Sequence, residues 1–255
     1  MNYIITTVTT EDYEFLYTKY LLFSIRKHNT EVPIFVICPS YSDKFKKLCN
    51  NLNVEITTVQ TPDFEDLNET RYGKPKSFLK AVWLKTQALR LNWDNIINID
   101  ADCIILKDLT PLIKIIQKYD MLCFLGGSVK VVQENEMTET AELTGMQYPV
   151  SGDIVNNGVF AMRRDIGEKF YPMWADLLEK YPTNWLAEQS IFSLLLEHLS
   201  LKTLFYNKLQ STPWTLMENA YIFHFCGKRN YNWKEYKKYH PTIQEIVDEA
   251  DKYII

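Results

Sequence analysis

Two hydrophobic rhythms divide this chain into short elements. Tyr3–Val8 is apolar and β-branched and ends in hydroxyls, which predicts a first strand. Thr9-Thr10-Glu11-Asp12 then supplies polar caps, and Phe15, Leu16, Leu22, Phe23 and Ile25 fall at helical spacing. Pro33–Cys38 is continuously apolar, as a strand covered on both faces requires, and Pro39-Ser40 stops it. A short helix over Asp43–Leu52 leads to a third strand at Val54–Val59. Beyond a loop rich in acids, Pro and Gly at Thr61–Pro75, the run Lys76–Leu91 spaces Phe78, Val82, Leu84, Ala88 and Leu89 as a helix does. It feeds the apolar stretch Asn95–Ile99. Three strand–helix units leading into a fourth strand predict an α/β fold with a mostly parallel central sheet flanked by helices.

The second half is less regular. A helix is expected near Pro111, a strand at Met121–Leu125, another at Ile154–Arg163, and helices over Asp165–Tyr181 and Asn184–His198. Strands follow near Leu201–Tyr206 and Glu218–Phe225, and the tail from Asn232 reads as helical and charged. Ser128–Gly152 is polar and shows no clear element, so a functional loop or lid is expected there. There is no internal repeat, low-complexity run or linker, and the 255 residues read as one domain.

Composition narrows the partners. A net charge of −4 argues against a nucleic-acid binder working by bulk electrostatics. Five cysteines without a C-x-x-C pair, all in apolar context, fit reduced buried thiols. No apolar run reaches 18 residues, and the N-terminus lacks the basic and apolar regions of a signal peptide, so a soluble cytoplasmic protein is expected. Lys228–His240 mixes aromatic, histidine and basic residues and is read as a solvated end or a peripheral membrane contact.

Candidate chemistry centres on Asn95–Lys107, N-I-I-N-I-D-A-D-C-I-I-L-K. Residues two apart on an extended chain point to one side, so Asp100 and Asp102 converge while Ala101 turns away. Two carboxylates that close repel unless a cation sits between them. At the carboxyl end of a strand the pair reads as a metal or phosphate site, against the alternative of a capped turn. His224, ending the apolar run Tyr221–Phe223, is the best third ligand, although a lone histidine on an apolar strand also reads as a core residue. Two carboxylates and an imidazole suit Mn2+ better than Ca2+, with Mg2+ as an alternative. Gly227 would let the backbone approach a phosphate, and Lys228 and Arg229 would neutralise it. Asp153, Asn156 and Asn157 have the fixed donors and acceptors that sugar hydroxyls need, and are also ordinary turn residues. Glu188-Gln189 is a weak signal by itself.

Taken together, these blocks resemble a GT-A glycosyltransferase, specifically the retaining glycosyltransferase family 8. They are V-T-T-E-D-Y (Val8–Tyr13 with the strand before it), I-D-A-D (Ile99–Asp102), D-I-V-N-N-G-V-F (Asp153–Phe160), A-E-Q (Ala187–Gln189) and E-N-A-Y-I-F-H-F-C-G (Glu218–Gly227). The resemblance implies a single GT-A domain over residues 1–255, with a nucleotide-binding half at 1–109. The sugar and acceptor half would occupy 110–255 and include the helical tail. It implies a nucleotide-diphospho-sugar donor, expected to be a UDP-sugar, and Mn2+ held by Asp100, Asp102 and His224 around Ala101. Thr7, Val8, Thr9 and Tyr13 would contact the nucleotide, as would a basic residue before the Asp pair, Lys80 or Lys85. Asp153, Asn156, Asn157, Glu188 and Gln189 would face the sugar, with Gln189 or Asp153 steadying it as bond cleavage makes it cationic. The family pattern after the histidine is H-F-x-G-x-x-K-P-W, whereas this chain reads H-F-C-G-K-R-N-Y-N-W, which leaves Lys228 or Arg229 to grip the diphosphate. The acceptor would be a glycan, glycoprotein or glycolipid, and the oligomeric state, a homodimer included, stays open. Two other readings keep the fold: a sugar-phosphate nucleotidyltransferase, which would normally open with a Gly-rich loop absent from Thr6–Tyr13, and a non-catalytic nucleotide-sugar-binding module.

Overall fold

The computed structural model describes residues 2–63, 76–125, 130–147, 154–181, 187–212, 217–225 and 241–253. In chain order, β1 (Tyr3–Val8) leads through a 3-10 turn (Glu11–Tyr13) and a π-helical turn (Glu14–Thr18) into α1 (Lys19–His28). Then come β2 (Ile34–Cys38), α2 (Asp43–Asn51), β3 (Glu55–Thr58), α3 (Lys76–Gln87), β4 (Asn95–Ile99), β5 (Cys103–Ile105) and α4 (Thr110–Ile116). The remaining elements are β6 (Met121–Leu125), α5 (Lys130–Thr144), β7 (Val155–Arg163), α6 (Arg164–Lys180), α7 (Ala187–His198), β8 (Thr203–Phe205), β9 (Gln210–Ser211), β10 (Ile222–His224) and α8 (Pro241–Tyr253).

Seven strands form one sheet in the order β3-β2-β1-β4-β7-β6-β8. Strands β3, β2, β1 and β4 run parallel, whereas β7 runs antiparallel to both neighbours. Side chains alternate across the sheet with the period of two that a strand imposes. Ile4, Ile96, Phe160 and Met162 face a core shared with α3, α6 and α7. Ile5, Ile97, Val159 and Ala161 face a second core with α1, α2 and α4. This double cover is why β2 and β6 are apolar throughout rather than alternating, whereas the edge strand β3, Glu-Ile-Thr-Thr, is not.

A small sheet, β5-β10-β9, lies beside the carboxyl end of β4. Beyond it α8 buries Ile243, Ile246, Val247 and Ala250 against Tyr17, Tyr20, Ile104, Phe223 and Phe225. The Arg26 guanidinium joins the first two crossovers by donating to the carbonyls of Asn29, Thr30, Val32, Leu52 and Asn53.

The α/β expectation holds, with differences in detail. Most of the stretch expected to be an irregular loop, Ser128–Gly152, is helix α5, seated on α7 through a small cluster of Met137, Ala141, Ile154 and Leu194. Its Gln, Glu, Met, Ala and Leu residues are good helix formers, and tertiary packing replaces the missing broad apolar stripe. The expected first helix begins as a π turn. Residues 226–240, with the expected membrane-contact stretch Lys228–His240, lie outside the described residues, and the helical part expected in the tail is α8 from Pro241 onward. Among the described residues no helix is long and apolar enough to cross a membrane.

Candidate active site

Register places the candidate groups at one edge of the sheet. Ile99 ends β4 opposite Val159 of β7, and the Asp100 N–H donates to the Gly158 carbonyl at 2.7 Å. Because β7 runs antiparallel, its first residues arrive at the same edge as the last residues of β1 and β4. The chain turns through Asp100-Ala101-Asp102 into β5, where Cys103 pairs with His224 of β10, and the Phe225 N–H donates to the Asp102 carbonyl at 3.0 Å. His224 thus reaches both aspartates. Its Nε2 lies 3.3 Å from Asp102 Oδ1 and 4.0 Å from Asp100 Oδ2.

Lys85 is brought to the other side of Asp100. It is 5% exposed, and its ammonium sits 2.7 Å from Asp100 Oδ1 and 2.5 Å from Glu188 Oε1 at the start of α7. Lys80, the other candidate on α3, is half-buried and forms no such bridge. Lys85 thus bridges two of the three clustered carboxylates, and with a neutral imidazole beside Asp102 the cluster carries two uncompensated negative charges. A divalent cation cancels that excess. The Asp100 and Asp102 side chains keep 22% and 29% of their surface open, whereas His224 and Lys85 are buried behind them. The opening is on the carboxylate side.

The protonation equilibria reflect this packing. Burial pushes the Asp100 carboxyl up to about 6, with Lys85 opposing and Asp102 and Glu188 adding to the rise. Burial acts the same way on Asp102, but the His224 imidazole beside it outweighs that effect and holds Asp102 below the ordinary value. His224 is raised, because the neighbouring Asp102 outweighs the burial that alone would lower it. Lys85 is raised by Asp100 and Glu188 against its own burial.

The donor set fits a hard divalent ion. An octahedral ion with bonds of about 2.1 Å places adjacent ligands roughly 3 Å apart and opposite ones roughly 4 Å apart. The separations of 3.3 and 4.0 Å fall in that range. The Lys85 contact occupies Asp100 Oδ1 and leaves Oδ2 facing His224. Beside this set, and among the described residues, Asp102, Cys103 and His224 form a cluster whose potential ligand atoms lie within 4.8 Å of one another.

Other predicted groups are placed less uniformly. Thr7 is fully buried at the end of β1 with its hydroxyl unpartnered, and Val8 directs its side chain into the core. Thr9 is committed to Thr18, hydroxyl to hydroxyl at 2.8 Å. Tyr13 closes the 3-10 turn and stacks on Tyr17 with ring centroids 5.5 Å apart, giving a two-ring platform on the Asp102 side. The Tyr17 phenol is raised by burial and then by the Asp102 charge. Asn156 accepts from the Gly158 N–H at 3.1 Å, and Asn157 is buried with its Nδ2 unpartnered. Ala101 packs at the margin of the third core, and Gln189 is half-buried one residue beyond Glu188. Asp153, Gly227, Lys228 and Arg229 lie outside the described residues.

Sequence reasoning passed over Gly158. A Cβ there would lie 2.1 Å from His224 Cε1, 2.8 Å from its Nδ1 and 3.0 Å from Asp100 Oδ2. The signal was present, since glycine inside a strand often marks a close approach. Tyr17 and Cys103 were also missed, and only tertiary pairing reveals them.

Residues 38–245 match the sequence profile of the nucleotide-diphospho-sugar transferases. No curated protein sequence gives a significant match. Among solved structures, the galactosyltransferase LgtC in complex with donor and acceptor sugar analogues is similar at 16% identity and a TM-score of 0.69, over 97% of this chain and 95% of that one. The bifunctional glycosyltransferase WbbM, in its apo form, is similar over 97% of this chain and 51% of its own, at 14% identity and a TM-score of 0.63. Mouse xyloside xylosyltransferase 1, also apo, is similar over 89% of this chain and 98% of its own, at 11% identity and a TM-score of 0.55. The fold is shared with all three.

Proposed function

The chain belongs to the nucleotide-diphospho-sugar transferase family, and from that premise we propose that this glycosyltransferase depends on a divalent metal and moves a hexose from a UDP-sugar to an acceptor glycan, glycoprotein or glycolipid, with retention. The observation that carries the metal dependence is the cluster of Asp100, Asp102, His224, Lys85 and Glu188, whose two excess negative charges call for one divalent cation.

Asp100, Asp102 and His224 would hold the ion, Mn2+ by preference and Mg2+ as an alternative. When bound, the ion supplies positive charge where the departing diphosphate accumulates negative charge. Lys85 fixes Asp100 by one oxygen, so that the other is presented without a search over rotamers. Gly158 keeps the imidazole close to both carboxylates. Tyr13, backed by Tyr17, presents an aromatic face to the nucleobase. Glu188, Gln189, Asn156 and Asn157 would face the sugar, with Asp153 expected beside them. Gln189 or Asp153 would steady the developing positive charge on the sugar, and Lys228 or Arg229 would grip the diphosphate.

Thermal unfolding with UDP and a panel of UDP-hexoses, with and without Mn2+, tests the proposal. Ligand binding to the folded state raises the melting temperature with the logarithm of ligand excess. UDP is expected to stabilise the protein strongly only with Mn2+, and Asp102→Asn is expected to abolish both that synergy and sugar turnover. Full turnover in excess chelator would overturn the metal dependence.

A further inference from the structure

On the reading of this centre as a metal site, we propose that it has a second coordination mode, in which Asp102, Cys103 and His224 capture a thiophilic divalent ion such as Zn2+ or Cd2+. Cys103 follows Asp102 directly and stands opposite His224 in the antiparallel register of β5 and β10. Residues paired in that way project to the same face of a sheet. With an Asp102 carboxylate oxygen, their ligand atoms lie within 4.8 Å of one another. Cys103 has no exposed surface, and His224 is 3% exposed with its Nδ1 lacking a hydrogen-bond partner.

Hardness and geometry separate the two modes. A hard ion takes the two carboxylates, whereas Zn2+ and Cd2+ gain from thiolate and imidazole. Tetrahedral Zn2+, with bonds of about 2.0 to 2.3 Å, sets its ligands roughly 3.3 to 3.7 Å apart. Asp102 Oδ1 and His224 Nε2 already stand at 3.3 Å, and the sulfur is at most about 1.1 Å beyond that range. Asp100 is not needed, because Lys85 holds it as a separate ion pair. As the sulfur–metal bond forms, the Cys103 S–H bond breaks and its proton leaves to solvent. The thiolate and the Asp102 carboxylate then match the charge of the ion, with no change of oxidation state. The thiophilic ion seats on the β5–β10 side, withdrawn from Asp100, and Mn2+ is excluded while it is there.

The test is a titration of the full chain with cadmium chloride, following the ultraviolet thiolate-to-cadmium charge-transfer band and proton release in weak buffer. One band equivalent and about one proton per chain are expected, with the band removed by excess Mn2+. Cys103→Ser and Cys103→Ala are expected to lose the band while keeping wild-type stabilisation by Mn2+. A band that persists in both variants, or that Mn2+ fails to compete away from a wild-type protein it does stabilise, places the sulfur ligand elsewhere and overturns the proposal. Cadmium binding without a band does the same. The Mn2+ experiment separates the two readings: stabilisation by Mn2+ without a cadmium band sinks only the second mode. A competent cadmium band in a protein indifferent to Mn2+ sinks the hard-ion reading instead.

Discussion

Gly158→Ala puts one methyl group at the point where the strand edge meets His224, the proposed metal-binding histidine. The added Cβ would lie 2.1 Å from His224 Cε1, against an optimal carbon–carbon separation of about 3.5 to 4.0 Å. The shortfall is roughly 1.4 Å or more. On the β4 side the backbone is tied at this point, because the Gly158 carbonyl accepts from Asp100 at 2.7 Å, whereas the pairing with β6 is interrupted by a bulge between Asn156 and Phe160. Relief therefore takes a shift of that bulge, of the buried imidazole, or of both. Overpacking of this kind costs about 1 to 3 kcal/mol. In a chain of this size each kcal/mol lowers the melting temperature by roughly 2 to 4 °C, so a fall of about 2 to 12 °C is expected. The functional loss is larger, since displacing one ligand by an ångström removes one corner of the site, and misplacements of that size cost about 100-fold in rate. Gly167→Ala is the control: its Cβ would meet nothing closer than 3.5 Å, so this helical substitution is expected to be neutral or mildly stabilising. Thermal unfolding of both variants with and without Mn2+ decides the matter. A Gly158→Ala protein with the wild-type Mn2+ increment would refute the placement of His224 in the metal site.

Lys85→Met leaves Asp100 and Glu188 facing each other without their shared ammonium; removal of one partner from a buried pair costs about 3 to 5 kcal/mol, measurable by urea unfolding at pH 7.5, and an unchanged midpoint would contradict the bridge. The Mn2+ increment in melting temperature is expected to grow as pH rises from 5.5 to 7.5. Asp100, raised to about 6, and His224, also raised, each favour the protonated folded form; the stability they give the metal-free protein is full below their unfolded values and lost as pH rises through their folded ones, so protons compete with metal at the acid end. An increment independent of pH would show that these groups do not bind the ion. Tyr13→Leu removes the outer ring of the stacked pair and is expected to weaken UDP by about 5- to 150-fold in calorimetric titration, the equivalent of about 1 to 3 kcal/mol of base stacking.

The layout of the sheet was readable because its strands are buried on both faces, so that Tyr3–Val8, Pro33–Cys38 and Asn95–Ile99 stand out as apolar blocks between amphipathic helices. The acidic pair was readable for the related reason that charge at the end of such a block demands an explanation. Helix α5 was not, because it is held by Met137 and Ala141 against α7 rather than by a broad apolar face. The choice between Lys80 and Lys85 was latent in helix phase. Val82 and Lys85 of α3, and Leu89 in the 3-10 turn just beyond it, are spaced three and four apart and face the core side, where a buried lysine needs carboxylate partners. Gly158 and Cys103 acquire their significance only from register, with Gly158 bonded to Asp100 and Cys103 paired with His224, and no local pattern encodes either contact.

The ligands that meet in the centre come from opposite ends of synthesis: Asp100 and Asp102 emerge from the ribosome more than a hundred residues before His224. Loop closure over such a distance is slow and depends on β4, β7, β5 and β10 all finding their partners. The site is therefore a late product of folding, and a chain stopped short of β10 possesses the acidic pair without the means to use it. On the proposed metal reading, capture of the ion would register completion of that pairing, so Mn2+ binding would serve as a single-event marker in refolding experiments where sheet formation alone would report too early.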